Sequence, residues 1–219
     1  MVVHLMRDIE NLRNNILGLG SIVEQAVTNA VQSLLDRNND LAREVLDGDD
    51  QIDAMEVAIE EDCLKILALH QPVATDLRFI VMVLKVNNDL ERIGDLASNI
   101  AARVADMAPL PVLDADIHLP EMAMAVRQMI RDSLQAMIHR DTDLAHEVCE
   151  ADRRVDEIHR DSFAVLEESM RRNPECIHQA VLLLSICRYL ERMADLATNI
   201  AEDVIFHVSG SVVRHSGLG

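Results

Sequence analysis

One acidic segment of the chain occurs twice. Residues 91–101 return one hundred residues later as residues 191–201, and eight of the eleven positions are identical. In both copies Glu, Asp and Asn stand at positions i, i+4 and i+8, which places their oxygens along one face of a helix with a drift of about 40° per step. Such a row of carboxylate and amide oxygens could bind hard cations. The residues are Glu91, Asp95 and Asn99 in the first copy and Glu191, Asp195 and Asn199 in the second.

A second set of acids is also duplicated. Residues 26–55 align without gaps on residues 129–158 at an offset of 103, so that each repeat carries acids on two successive predicted helices. Facing carboxylates repel one another, and protonation, an arginine or a cation must relieve that repulsion. Oxygen ligands favour Fe, Mn or Mg over a zinc ion bound by sulfur. We therefore predict metal binding by the six residues named above together with Asp49, Asp53, Asp152 and Asp156.

Two other interpretations of the acidic faces remain open. Arg92 and Arg192 adjoin them, so the faces could belong to a metal-free helical scaffold whose acids are paired with arginine and water. A carboxylate-bridged di-iron oxidoreductase is the other alternative, but such bundles carry two Glu-x-x-His motifs, and this chain has one, Glu175 to His178. The sequence has no Gly-rich phosphate loop and no serine nucleophile elbow. We predict that the protein is not an enzyme.

Composition excludes several classes of function. The formal net charge is −18 and no basic stripe is present, so we expect no binding to nucleic acid. The four cysteines form no CxxC pair and are expected to be reduced, mostly core residues of a cytoplasmic protein. The longest uninterrupted apolar run, residues 79–84, is far too short to span a bilayer, and no export leader is apparent.

Helical periodicity dominates the whole chain. Aromatic residues make up 2% of the sequence, so aliphatic side chains must fill the core, which favours helix-on-helix packing. Asp40 is a candidate cap for the second helix, Gly48 could break that helix, and Pro174 is expected to start the sixth. The predicted helices cover about 5–36, 40–70, from the Gln71-Pro72 turn to 107, 121–140, 143–172 and 175–208.

These helices predict an all-α fold of two tandem three-helix bundles related by internal duplication. Short connections make neighbouring helices antiparallel. The first bundle is expected at residues 1–108 and the second at residues 120–208, joined by a proline-containing linker, with residues 209–219 as a flexible tail.

Three segments resemble the signature of the PhoU family, the regulators of the bacterial phosphate-specific transport system. They are QPVATDLR (71–78), NDLERIGD (88–95) and YLERMADLATNIAEDVIF (189–206), and the resemblance extends over residues 4–210. It implies two three-helix bundles whose E/DxxxD motifs bind metal clusters. In this chain the motifs correspond to Asp49/Asp53, Glu91/Asp95, Asp152/Asp156 and Glu191/Asp195.

The resemblance also implies a function. It predicts a cytoplasmic negative regulator of phosphate uptake and of the phosphate-starvation response, which couples the ATPase or membrane subunits of a phosphate ABC transporter to a sensor histidine kinase. Membrane association would occur only through these partners, and the protein would form a homodimer. The chain departs from the family at one point: where members often have His after the second-copy Asp, it has Leu196, and Leu96 stands in the first copy.

Overall fold

Six long α-helices make up almost the entire molecule. The structure, a computed structural model, describes residues 2–113 and 115–209, and within this part it contains no strand. The predicted all-α fold is confirmed. The helices are α1 (Val2–Asp36), α2 (Asn39–His70), α3 (Ala74–Met107), α4 (Leu119–His139), α5 (Thr142–Arg172) and α6 (Ile177–Ser209).

Equivalent caps begin the second helix of each repeat. The side chain of Asn38 accepts hydrogen bonds from the backbone N–H groups of Asp40 and Leu41 at 3.0 and 3.2 Å. Asp141 does the same for α5, with both bonds at 3.0 Å. The predicted cap at Asp40 is therefore wrong by two residues, because the side chain that reaches the free N–H groups belongs to the residue before the first turn.

Two further local predictions are also wrong. Gly48 does not break α2, which is continuous from Asn39 to His70, because Val45 and Ile52 are buried on either side and hold that turn against the core. Pro174 does not start α6 but opens a 3₁₀ turn (Pro174–Cys176), and α6 begins at Ile177. The side chain of Asn173 caps this turn by accepting from the N–H of Glu175 at 3.2 Å.

The two repeats pack against each other through their third helices. Within each repeat, three helices surround an aliphatic core, and α3 packs on α6 as extensively as neighbouring helices do within a repeat. The buried side chains form one continuous cluster through both repeats. Met122 and Met129 belong to this core, whereas Met124 is exposed. The four cysteines are unpaired, and three of them are buried.

The boundaries of the repeats and the tail stay predictions. Residues 210–219 of the predicted tail lie outside the described residues, and Ser209 is the last residue of α6. No helix in the described part of the chain is long and apolar enough to cross a membrane.

Candidate metal centre and the groove between the repeats

The first repeat brings three acids from two helices together. A tight connection after His70 turns the chain back, so that α2 and α3 lie side by side and their acidic faces meet. Asp53 of α2 and Glu91 and Asp95 of α3 each offer a carboxylate oxygen, and these oxygens all lie within 4.8 Å of one another. Among the described residues, no other group of three Asp, Glu, His or Cys side chains is this close.

Crowding changes the acidity of this cluster. Partial burial raises the pKa of Glu91, and the nearby charges of Asp95, Asp53 and Glu56 raise it further. Partial burial also raises the pKa of Asp95, with Asp49 and Asp53 adding to the shift and Arg92 opposing it. A bound cation would reverse this balance, because it favours the charged carboxylates that the cluster otherwise disfavours.

The second repeat has an equivalent but looser acidic cluster. Partial burial raises the pKa of Asp152 to about 6, and Asp156, Asp195 and Glu191 contribute in that order. The pKa of Asp195 is raised by partial burial and by Glu191 and Asp156, against the influence of Arg192. The acids of α5 and α6 therefore influence one another electrostatically, as the duplication leads one to expect.

One hydroxyl distinguishes the two clusters. In the first repeat, the Ser98 hydroxyl donates to a carboxylate oxygen of Asp49 at 2.9 Å. The equivalent residue in the second repeat is Thr198, whose buried hydroxyl oxygen has no hydrogen-bond partner. A hydrogen bond to a carboxylate favours its charged form. Asp152, the counterpart of Asp49, has no such donor from Thr198.

A polar groove lies between the two repeats, where α3 meets α6. It has a volume of about 470 Å³ and is lined by the same four residue types from each helix. Asp95 and Asp195 therefore adjoin both their own clusters and this shared groove, while Asn99 and Asn199 lie in the groove. Leu96 and Leu196 supply its apolar surface. The complete lining is Arg92, Asp95, Leu96, Asn99, Arg192, Asp195, Leu196 and Asn199.

The structure divides the predicted ligands into separate groups. The carboxylates of Asp53, Glu91 and Asp95 lie close together. The Asp49 carboxylate accepts a hydrogen bond from Ser98, and Asn99 and Asn199 line the groove. The sequence prediction missed Ser98, although its place in the repeated segment was a signal. Glu56 lies on the acidic face of α2 but was not among the predicted ligands, and its backbone carbonyl and carboxylate both accept hydrogen bonds from the Asn87 side chain, at 2.9 and 3.1 Å. No repeated pattern marked Asn87.

The ligand atoms of the first cluster suit a hard cation better than a di-iron site with histidine ligands. All side chains of the first cluster offer oxygen, which suits Mg, Mn or Fe. Glu175 and His178 are exposed at the 3₁₀ turn and the start of α6, and they are not part of this cluster. Such a cluster can attract cations, and its protonated carboxyl groups would release their protons when a cation binds.

Comparison with known proteins agrees with the duplication. The family model described as the PhoU domain matches the chain twice, at residues 16–104 and 119–204. A relative from Pseudomonas aeruginosa, described as a "Phosphate-specific transport system accessory protein PhoU homolog", is 38% identical over 96% of this chain and 88% of its own length. A relative from Aquifex aeolicus with the same description is 37% identical, over 96% of each chain.

Solved structures give the same result. The crystal structure of PhoU from Pseudomonas aeruginosa matches with a TM-score of 0.91 at 36% identity, over 94% of this chain and 99% of that one. The phosphate transport system regulatory protein PhoU from Streptococcus pneumoniae matches with a TM-score of 0.85 at 27% identity, over 95% of this chain and 99% of that one.

Proposed function

The chain belongs to the PhoU family, and from that premise we propose that it is a cytoplasmic negative regulator of phosphate uptake and of the phosphate-starvation response. It would couple a phosphate ABC transporter to a sensor histidine kinase. The observation that carries the proposal is the near-full-length similarity to accessory proteins of phosphate-specific transport. The protein acts by contact and not by catalysis, and it functions as a homodimer.

The acidic clusters supply the proposed switch. Asp53, Glu91 and Asp95 would hold a cation in the first repeat, and Asp152, Asp156, Glu191 and Asp195 in the second. The cation would supply positive charge that neutralises the facing carboxylates. Because these residues lie on two helices of each repeat, neutralisation favours close packing of those helices and so changes the surface offered to a partner.

The regulatory role can be tested in the source organism. We expect deletion of the gene to derepress alkaline phosphatase in phosphate-rich medium, and the wild-type gene to restore repression. Unchanged repression in the deletion strain would contradict the proposal. A tagged copy of the protein, expressed in the deletion strain, should pull down the transporter ATPase subunit and the histidine kinase. The deletion strain without the tagged copy is the control.

The metal switch needs a separate test. We expect a variant with Glu91→Gln, Asp95→Asn, Glu191→Gln and Asp195→Asn to lose Mn or Fe retained after dialysis, and to lose repression. A matched control neutralises four exposed acids outside the clusters: Glu44, Glu61, Asp143 and Glu147. If the first variant lost metal but still repressed alkaline phosphatase, the switch would be wrong while the regulatory role would stand. No metal retained by the wild-type protein would favour the metal-free scaffold.

A further inference from the structure

A small pocket away from the acidic clusters collects positive charge in a strongly acidic protein. It encloses about 120 Å³ among α1, α3, α4 and α6, and Arg13, Arg140 and His207 are among its lining residues. The volume held by one water in the liquid is roughly 30 Å³, so the pocket has room for a small polyatomic ion. Its remaining walls are apolar, with Phe79 and Met82 among them.

Buried polar atoms of two lining residues lack hydrogen-bond partners among the described residues. His207 is 4% exposed, and its Nδ1 atom is buried without a partner. The Nε atom of Arg13, which also lines the pocket, is likewise buried and unpartnered. The nearest acid to Arg13 Nε is Glu10 at 3.9 Å, which is too long for a hydrogen bond. Buried donors without a partner are costly, so such a group points to a bound ligand.

Three arginines disfavour a positive charge on His207. Burial lowers the pKa of His207, and Arg140, Arg78 and Arg13 lower it further. The Arg13 guanidinium lies 5.2 Å from the centroid of the Phe79 ring, and that ring meets the His207 ring edge-on at 5.9 Å. Phe79 thus links Arg13 to the histidine, and the apolar walls reduce screening of the arginines' charge.

Comparison with the first repeat shows that, within the described part of the chain, the side chain of Arg140 lacks the partners that its counterpart has. Arg37 is the counterpart of Arg140, and Met107 is the counterpart of His207. Both arginines have a left-handed backbone, with φ of 51° and 54°. Arg37 donates to the carbonyl oxygens of Met107 and Leu110, the latter at 2.7 Å. No hydrogen bond or ion pair of Arg140 is present within residues 2–113 and 115–209.

We propose that this pocket, which we call the arginine–histidine pocket (Arg13, Arg140 and His207), binds a small tetrahedral oxyanion. Arginine forks match the oxygens of such an ion, and a neutral imidazole nitrogen accepts the proton of monohydrogen phosphate or donates to any oxyanion. Only the choice of inorganic phosphate as the first probe rests on the proposed function. The site itself follows from the cavity, the unpartnered atoms and the charge.

The test is titration calorimetry of the full chain, stripped of metal with a chelator, against inorganic phosphate, sulfate and acetate. We expect one phosphate per chain, and Arg140→Gln should weaken binding about tenfold or more because charge-assisted hydrogen bonds are lost. Arg43→Gln, which removes an exposed charge from α2, should leave binding within about twofold. Tight sulfate binding with the same dependence on Arg140 would support an oxyanion site without selectivity for phosphate.

A second variant keeps the outcome clear if Arg140→Gln were to disturb the turn that it occupies. Arg13→Gln should also weaken binding about tenfold, and circular dichroism should show both variants to be folded. Equal binding by the wild type and both variants would overturn the proposal, as would the absence of saturable binding for phosphate and sulfate. The alkaline phosphatase assay is independent, so failure here leaves the regulatory role intact.

Discussion

At the scale of single residues, one hydroxyl sets the two acidic clusters apart. Ser98 donates to Asp49, whereas the Thr198 hydroxyl has no partner, and the pKa of Asp152 rises to about 6 through partial burial and neighbouring acids. The folded protein therefore takes up a proton at Asp152 that the unfolded chain takes up only near its ordinary pKa of 3.8. Protonation of Asp152 therefore contributes stability to the metal-free protein as the pH falls from 7 to about 5.

We predict that Asp152→Asn raises the free energy of unfolding of the metal-free protein at pH 7 by roughly 1 kcal/mol and reduces the gain on acidification. Urea denaturation with a chelator at pH 7 and pH 5 measures both effects. Asp49→Asn is the matched control and should not stabilise the protein, because the Asp49 carboxylate already accepts a hydrogen bond from Ser98. Equal stability of Asp152→Asn and the wild type at pH 7 would contradict the argument.

At the scale of helices, the two repeats solve one packing problem with different residues. In the first repeat, Gly94 of α3 lies so close to Ile52 of α2 that a methyl group on it would come within 2.9 Å of the isoleucine. The equivalent residues of the second repeat are Ala194 and Val155, both fully buried. The second repeat thus has one more carbon on the third helix and one fewer on the second, which keeps the summed volume nearly constant.

We predict that Gly94→Ala alone destabilises the protein by about 1 kcal/mol, because crowding against Ile52 exceeds the gain in helix propensity. Adding Ile52→Val should remove that cost and make the double variant at least as stable as the wild type. The measurement is a double-mutant cycle of unfolding free energies. Additive effects of the two substitutions would show that the close approach does not limit packing.

At the scale of the whole molecule, the third helices join the repeats into one packed unit. Lys85 of α3 forms an ion pair at 2.7 Å with the buried Asp203 of α6, and its ammonium group lies 5.7 Å from the Phe206 ring centroid. The groove that contains Arg92 and Arg192 lies at the same helix pair. A change in the packing of α3 on α6 would therefore affect both repeats together.

We predict that the metal-free protein unfolds in one cooperative transition, and that Lys85→Met lowers the free energy of unfolding by roughly 1–3 kcal/mol, because it removes the ion pair between Lys85 and a buried carboxylate. Lys65→Met, which removes an exposed lysine of α2, is the control and should change stability by less than about 0.5 kcal/mol. Calorimetry and urea denaturation check both statements. Two separate transitions would mean that the repeats unfold independently.

The sequence by itself determined the helices, their duplication and the family. Apolar spacing, short turns and repeated motifs are local or periodic signals, and they predicted the all-α fold and the E/DxxxD segments. The errors at Asp40, Gly48 and Pro174 are errors of one helix turn or less, where a neighbouring side chain or the buried core decides the outcome.

Only the tertiary structure decided which of the acids meet. The approach of Asp53 to Glu91 and Asp95 depends on how α2 rotates against α3, and one sequence does not specify a helix rotation. The arginine–histidine pocket brings together residues from α1, α3, α6 and the end of α4, and the separation of Arg13 from His207 along the chain hides it from any local pattern. The sequence specifies the residue types and their spacing within each helix, whereas the sites form only when helices that are distant in sequence pack together.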